Sequence, residues 1–266
     1  MFFTSRTDLA LEFSAKTGEK EGVRHTECKL YGMDVTETEL SEETAEKLGK
    51  AAGHYYTLYS EQVPDFNNEI YALSVVLRKL LPQGKCLAVG LGNPDITADS
   101  LGWKAAEGIL ATSQFEENGL GGDGIGSVSV IRTNVSSNSG IDSSLQAKLS
   151  AEGIGADYII AVDSLACSSP KRLCSTIQVT DTGICPGSGA GNPRKRLDKS
   201  TAGIPVIAIG VPTAMEHRER GECYTVTRRD ADSYIRRYSY VISRAINRVL
   251  SPALSEDDCR MLKDFS

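Results

Sequence analysis

The sequence predicts an α/β fold: a single domain with a central, mostly parallel or mixed sheet and helices on both faces. Short apolar runs at 86–91, 158–162 and 204–209 have the continuous hydrophobicity of strands covered on both sides. Helical periodicity flanks them, with Phe66, Ile70, Leu73, Leu77 and Leu80 on one face of an early helix and Ile235, Tyr238, Ile242, Ala245 and Val249 on a late one. Strands alternating with helices indicate a largely parallel sheet, and 266 residues at 40% hydrophobic suffice for one sizeable core.

Taken in order, residues 1–30 are polar and irregular, and 37–52 is charged and helix-compatible. Pro64 precedes the helix at 66–80 and Pro82 ends it. The strand Cys86-Leu87-Ala88-Val89-Gly90-Leu91 runs through Gly92-Asn93 toward a helix from Asp99 to Ala111. Glycine density at 119–126 reads as a surface loop. A short strand follows at 128–131, and Ile141, Leu145 and Leu149 place a helix before Gly153. Tyr158-Ile159-Ile160-Ala161-Val162 reads as a strand that delivers Asp163. Ser175-Thr176-Ile177-Gln178-Val179 alternates as a half-exposed edge strand does, whereas 204–209 is a buried strand whose start Pro205 restricts. The C-terminal helix carries Arg236, Arg237, Arg244 and Arg248 opposite its apolar face, a stripe suited to solvent or to a subunit interface.

A net charge of −6 argues against direct nucleic-acid binding, which needs a basic surface, but not against a protein substrate that itself binds DNA. No run approaches the roughly 20 apolar residues of a membrane span. Phe2-Phe3 is soon followed by Arg6 and Asp8 rather than a signal core, so a cytoplasmic location is expected. The cysteines at 28, 86, 167, 174, 185, 223 and 259 are odd in number and contain no C-x-x-C, which favours reduced thiols over disulfides or zinc. His25, His54 and His217 lack catalytic context.

Asp99 and Asp163 both follow buried-strand candidates. Ligands of open α/β sheets collect outside the carboxyl ends of the strands, and two carboxyls brought together there divide into one that keeps its proton and one that ionises. That suffices to activate water against a peptide carbonyl. Taken singly, each aspartate reads more readily as the N-cap of the next helix; it is the pair in matching settings that favours chemistry. Competing motifs fail. Gly90-Leu91-Gly92-Asn93 lacks the third glycine of a dinucleotide loop and has Asp95 in its place, so it reads as a tight turn beside Asp99. Gly187-Ser188-Gly189-Ala190-Gly191-Asn192, followed by Arg194-Lys195-Arg196, lacks P-loop spacing and reads as a glycine-rich turn with solvated basic residues that shapes a cleft wall. No G-x-S-x-G or H-E-x-x-H occurs.

Several blocks together carry a family resemblance. They are Arg6-Thr7-Asp8-Leu9-Ala10, Gly90-Leu91-Gly92-Asn93 with 97–102, Ala161-Val162-Asp163-Ser164-Leu165-Ala166, Ser175-Thr176-Ile177-Gln178, Asp181-Thr182-Gly183-Ile184, Pro186-Gly187-Ser188-Gly189 and the run 203–213. With them the chain resembles the germination (spore) proteases, which are related in fold to hydrogenase-maturation endopeptidases. The resemblance implies an atypical aspartic endopeptidase, made as a zymogen, that degrades small acid-soluble spore proteins in the spore core during germination. It implies a homotetramer without cofactor or metal, and places the catalytic pair on Asp99 and Asp163. Thr7-Asp8-Leu9-Ala10-Leu11-Glu12-Phe13 resembles the family's own cleavage motif, which makes 1–8 a candidate pro-segment released between Asp8 and Leu9 from a peptidase domain at 9–266. By periodicity alone, Leu9, Leu11 and Phe13 could equally alternate in a short edge strand. Three departures stand out. Arg132-Thr133-Asn134-Val135-Ser136-Ser137-Asn138-Ser139-Gly140 replaces a glycine-rich family segment, Cys167-Ser168-Ser169 replaces Ala-Arg-Ser, and the chain is shorter than usual members. A metal-dependent maturation endopeptidase and a non-catalytic binding protein remain alternatives.

Overall fold

A computed structural model describes residues 22–60, 65–117, 122–186, 195–219 and 222–264. Among them one sheet of nine strands forms: β1 (Val23–Leu30), β2 (Met33–Leu40), β3 (Gly53–Tyr59), β4 (Cys86–Gly90), β5 (Val128–Arg132), β6 (Tyr158–Cys167), β7 (Thr176–Thr180), β8 (Val206–Glu219) and β9 (Glu222–Val226). The spatial order is β1-β2-β3-β7-β8-β6-β4-β5, with β9 paired to the far part of β8. β8, β6, β4 and β5 run parallel, and the remaining pairs are antiparallel. The helices are α1 (Glu42–Leu48), α2 (Phe66–Leu80), α3 (Leu101–Gly108), α4 (Ser113–Glu117), α5 (Ser136–Ser139), α6 (Ser143–Ile154), α7 (Lys199–Ala202), α8 (Ala231–Leu250) and α9 (Glu256–Asp264).

The crossover β4–α3–β5 moves outward to the sheet edge, and β5–α6–β6 moves back past β4. Parallel crossovers are right-handed, so the two opposite directions put α3 and α6 on opposite faces. α2 and α3 pack along α8 on one side, and α6 packs with α7 on the other. Coverage on both faces explains why β4 is buried throughout. In α2 the periodic residues Ile70, Leu73 and Leu77 are buried, each worth ~1.5–3 kcal/mol relative to exposure, while Phe66 is exposed.

Several elements differ from the sequence reading. Residues 23–30, read as irregular, form β1, and most of the helix-compatible stretch at 37–52 divides between β2 and the short α1. The β1–β2 hairpin turns on Tyr31-Gly32, both at positive φ (50° and 81°), the geometry of a type I′ turn without its usual Asn-Gly signal. Glu37 and Glu39 suggest a helix, yet the β-branched Thr36 and Thr38 alternate with them in a strand. The expected edge strand at 175–179 is β7, flanked by β3 and β8, with Thr176 and Gln178 buried. The strand at 158–162 continues to Cys167 because β8 keeps pairing with it beyond the end of β4. The helix expected from Asp99 begins instead at Leu101, after a 3₁₀ turn at Thr97–Asp99.

α6 buries the small residues Ser143, Ser144, Ala147 and Ala151 and leaves Leu145 and Leu149 exposed. The arginine stripe of α8 is more engaged than a solvated face: Arg237 pairs with the fully buried Glu69 at 2.9 Å, and Arg248 stacks 4.6 Å over Tyr71. Asp8 and Leu9, with the rest of the candidate pro-segment, lie outside the described residues, as does the glycine-rich segment at 187–194. Among the described residues no helix is long and apolar enough to cross a membrane.

Candidate active site

The chain leaves β4 toward β5 but leaves β6 across β8 to β7, so the connections diverge at the carboxyl ends of β4 and β6, the position where open α/β sheets form ligand crevices. Gly90 is the last β4 residue in register, opposite Val162, and Leu91 N–H donates to the Val162 carbonyl at 2.9 Å. Asp163 is the next residue. It lies past the end of β4 while still paired with Gly210 of β8, so the aspartate expected beyond a strand end sits inside its own strand and beyond its neighbour's. It is 2% exposed, and Ser164 N–H donates to its Oδ1 at 2.8 Å.

Asp99 reaches the same corner through the loop after β4. Gly92 takes φ 104°, and a Cβ there would lie 2.1 Å from the Asp99 carbonyl oxygen. This is the tight turn the sequence suggests. The Asn93 N–H is shared between the Asp99 carbonyl and its Oδ2, each at 3.0 Å. Gly102, in the first turn of α3, presses on β6 so closely that a Cβ would lie 2.2 Å from the Val162 carbonyl oxygen. On the other side, the buried Thr213 hydroxyl donates to the Ala98 carbonyl at 2.5 Å. Thr213 is the extra residue of a bulge in β8, since Leu165 pairs with Pro212 and Ala166 with Ala214. The turn bearing Asp99 is therefore clamped between the Gly92-Asn93 backbone and β8, in contact with the strand bearing Asp163. Neither aspartate is an N-cap: Ser100 occupies that position for α3, and Asp163 is a strand residue. Among the described residues, Asp65, Asp142 and Asp198 are N-cap residues whose side chains accept from the first turn of a helix.

The segment at 132–140 borders this corner. Thr133 N–H donates to the Gly90 carbonyl at 2.9 Å, Trp103 Nε1 donates to the Thr133 carbonyl at 2.6 Å, and Arg132 stacks 5.0 Å over the Trp103 ring.

A cavity of about 80 Å³ lies farther along the sheet, lined by Tyr55, Leu165, Gln178, Thr180, Thr182 and Arg196 among others. Arg196, read from sequence as solvated, is half-buried and donates to Asp198 (2.8 Å) and to the Thr182 carbonyl (3.3 Å). Burial opposes ionisation of Asp198, but bonds from Ser200, Arg196 and Thr201 outweigh it and hold the carboxyl at about 2. Gln178 and Thr213 were visible in the sequence only as parts of matching blocks. A sharper signal for Thr213 was Pro212, since a proline inside a strand run marks a bulge. Cys185 lines the cavity, while Cys167 is buried with its thiol directed at the Ser169 carbonyl, 3.4 Å away. Burial pushes the Cys86 thiol up to about 12, as expected of an inert structural cysteine. Among the described residues no three His, Cys, Asp or Glu side chains gather into a metal-binding group.

Fold and site together define an open-sheet α/β protein with an acidic corner at its topological switch point. The chain belongs to the germination protease family, whose model matches residues 6–219. Germination proteases of Geobacillus sp. (strain WCH70), Bacillus cytotoxicus and Bacillus cereus (strain ATCC 10987) are 36%, 37% and 38% identical to it, over 80% of this chain. The chain spans 64% of the length of these relatives. A [NiFe] hydrogenase maturation protease, HycI from Thermococcus kodakarensis KOD1, aligns over 65% of this chain and 99% of its own, with 13% identity and a TM-score of 0.36, too distant to bear on activity.

Proposed function

We propose that the protein is an aspartic endopeptidase acting on small acid-soluble spore proteins, with Asp99 and Asp163 as its catalytic pair. The observation that carries this reading is the convergence of the Asp99 turn and the Asp163 strand at the switch-point crevice, in a chain of the germination protease family. One carboxyl, protonated, polarises the scissile carbonyl. The other, ionised, takes a proton from the attacking water, and the proton then passes to the departing amine. The clamp formed by Gly92, Asn93 and Thr213 holds the first acid in place, and pairing with β8 holds the second. The same activity processes the chain itself between Asp8 and Leu9, and the working assembly is a homotetramer in the spore core.

The test is incubation of the purified protein with a small acid-soluble spore protein, with fragments read by mass spectrometry and the amino terminus sequenced. Discrete fragments that vanish in Asp99→Asn and Asp163→Asn support the reading. Cleavage lost in chelator and restored by one added metal would replace it with a metal-dependent peptidase, and binding without cleavage would replace it with a non-catalytic protein.

A further inference from the structure

We propose that Tyr238 and Cys174 form a buried brace for the β8 bulge, which makes Tyr238 a positioning residue for Asp99. This deepens the peptidase reading and rests on it. Among the described residues, two that are not glycine take a positive φ, Tyr31 (50°) and Cys174 (57°). Tyr31 sits in the β1–β2 turn, whose geometry demands it. Cys174 lies instead in the core, 2% exposed, between a 3₁₀ turn at Pro170–Arg172 and β7. A left-handed backbone outside glycine is costly and persists only where the surroundings over-determine it, as they do at functional sites.

The surroundings of Cys174 do so through its backbone. Its N–H donates to the Pro212 carbonyl at 2.7 Å, and the Tyr238 hydroxyl donates to its carbonyl at 2.9 Å. The next residue, Ser175, gives its N–H to the Arg172 carbonyl (3.2 Å), and its carbonyl accepts from the Ser60 N–H (3.0 Å). The thiol adds no charge, since burial pushes it up to about 11. Burial also pushes the Tyr238 hydroxyl up, which keeps it a donor. Tyr238 is 1% exposed on α8, so the brace ties Cys174 to a helix that packs on the sheet.

Register links the brace to the chemistry. Gln178 pairs with Gly210, so an unbroken antiparallel ladder would set Cys174 opposite Ala214, yet its N–H reaches Pro212. The left-handed turn thus lets the start of β7 follow the bulged course of β8. Pro212 precedes Thr213, the extra residue of that bulge. The Thr227 hydroxyl holds the Thr213 carbonyl at 2.6 Å, and the Thr213 hydroxyl holds the Ala98 carbonyl beside Asp99 at 2.5 Å. Removing the Tyr238 hydroxyl leaves a buried carbonyl unmatched. Cys174 is then free to relax to negative φ, its bond to Pro212 breaks, and Thr213 shifts away from the Asp99 turn.

The experiment compares Tyr238→Phe with Tyr56→Phe, which removes a tyrosine hydroxyl bonded to Glu37 on β2 at 2.6 Å, outside the brace. Amide hydrogen exchange of the Asn93 N–H, which bonds to Asp99, is followed by NMR in the full-length proteins. Exchange should be at least ~10-fold faster in Tyr238→Phe and change less than ~2-fold in Tyr56→Phe. On a peptide substrate, kcat should fall ~10-fold in Tyr238→Phe with KM unchanged. Thr227→Val, at an exposed position, loosens the bulge from its other side and should speed Asn93 exchange even where Tyr238→Phe does not fold. Asn93 exchange that keeps its wild-type rate overturns the proposal, as does an equal rise in both tyrosine variants or a loss confined to KM. Exchange is read without substrate, so the expected exchange pattern in a protein that cuts no peptide refutes the peptidase reading alone. Unchanged exchange in a protein that does cut refutes the brace alone.

Discussion

Asp163 and Gln178 stand in the same cross-strand row of the sheet, with Gly210 between them as the common neighbour. The row places a buried acid and a buried amide, whose nitrogen has no hydrogen-bond partner among the described residues, on one sheet surface, because residues in register project to the same side. The glycine leaves the space between them to Leu165. A switch-point acid and a side-chain cavity thus share one scaffold element, β8, which also anchors the Asp99 turn through Thr213.

Asp99→Asn and Asp163→Asn should each lower peptide cleavage by about 10²–10⁴-fold while leaving folding intact, since Asn keeps the shape but not the titratable group. Steady-state kinetics alongside circular dichroism checks this. Full activity in either variant sinks the paired mechanism. Chelator should leave wild-type cleavage unchanged.

Gly102→Ala should destabilise the protein by ~1–3 kcal/mol, because the added methyl meets rigid backbone at Val162 and Leu91 rather than a side chain that can move. It also pushes α3, and with it the Asp99 turn, away from β6. kcat should therefore fall further than the loss of folded protein explains, which kinetics on the folded fraction would show.

Arg237→Ala should cost ~3–5 kcal/mol in urea unfolding, because it strands the fully buried Glu69 carboxylate. Burial pushes the Glu69 carboxyl up, against the opposing bonds from Ser60 and Arg237. A raised folded-state value favours the native state at low pH, and that contribution is lost as pH rises through it. The Arg237→Ala penalty should therefore grow from pH 4 toward neutrality, and adding Glu69→Gln should recover part of it. An unchanged midpoint in Arg237→Ala would show that the pair contributes nothing.

Asp198→Ala should cost ~1 kcal/mol near neutral pH through loss of the α7 cap. The folded carboxyl is held at about 2, below its ordinary 3.8. Its contribution is full above the ordinary value and disappears as pH falls through about 2. Wild type and variant should converge in urea midpoint at the acid end of that window. A pH-independent gap would mean the capping carboxylate is not its source.

Local sequence pattern was most reliable where burial on both faces left little choice. β4 and the starts of β6 and β8 were legible because parallel strands covered on both sides must be continuously apolar, and α2 and α8 because each buries a regular stripe. β1 and β2 were missed because their largely polar residues lack a local helix-versus-strand signature and take their identity from their pairing partners, whereas β3 carries the strand-favouring run Tyr55-Tyr56-Thr57-Leu58-Tyr59 and was left unassigned. That omission also misplaced Thr176–Thr180 at an edge, since nothing local to those residues reveals that β3 lies beyond them.

What the sequence by itself determined was an α/β chain with acids following two buried strand segments and a glycine turn beside one of them, because apolar periodicity and glycine freedom act over a few residues. Only the tertiary structure decided that β6 outlasts β4, so that Asp163 sits within a strand yet at a crevice. It alone seated Gly102 on the backbone beside Asp163, tied the Asp99 turn to Thr213, and put Gln178 in the row of Asp163. Those relations depend on register between segments far apart in the chain. Register is set by the packing of the whole sheet and helices, which no short stretch of sequence encodes alone.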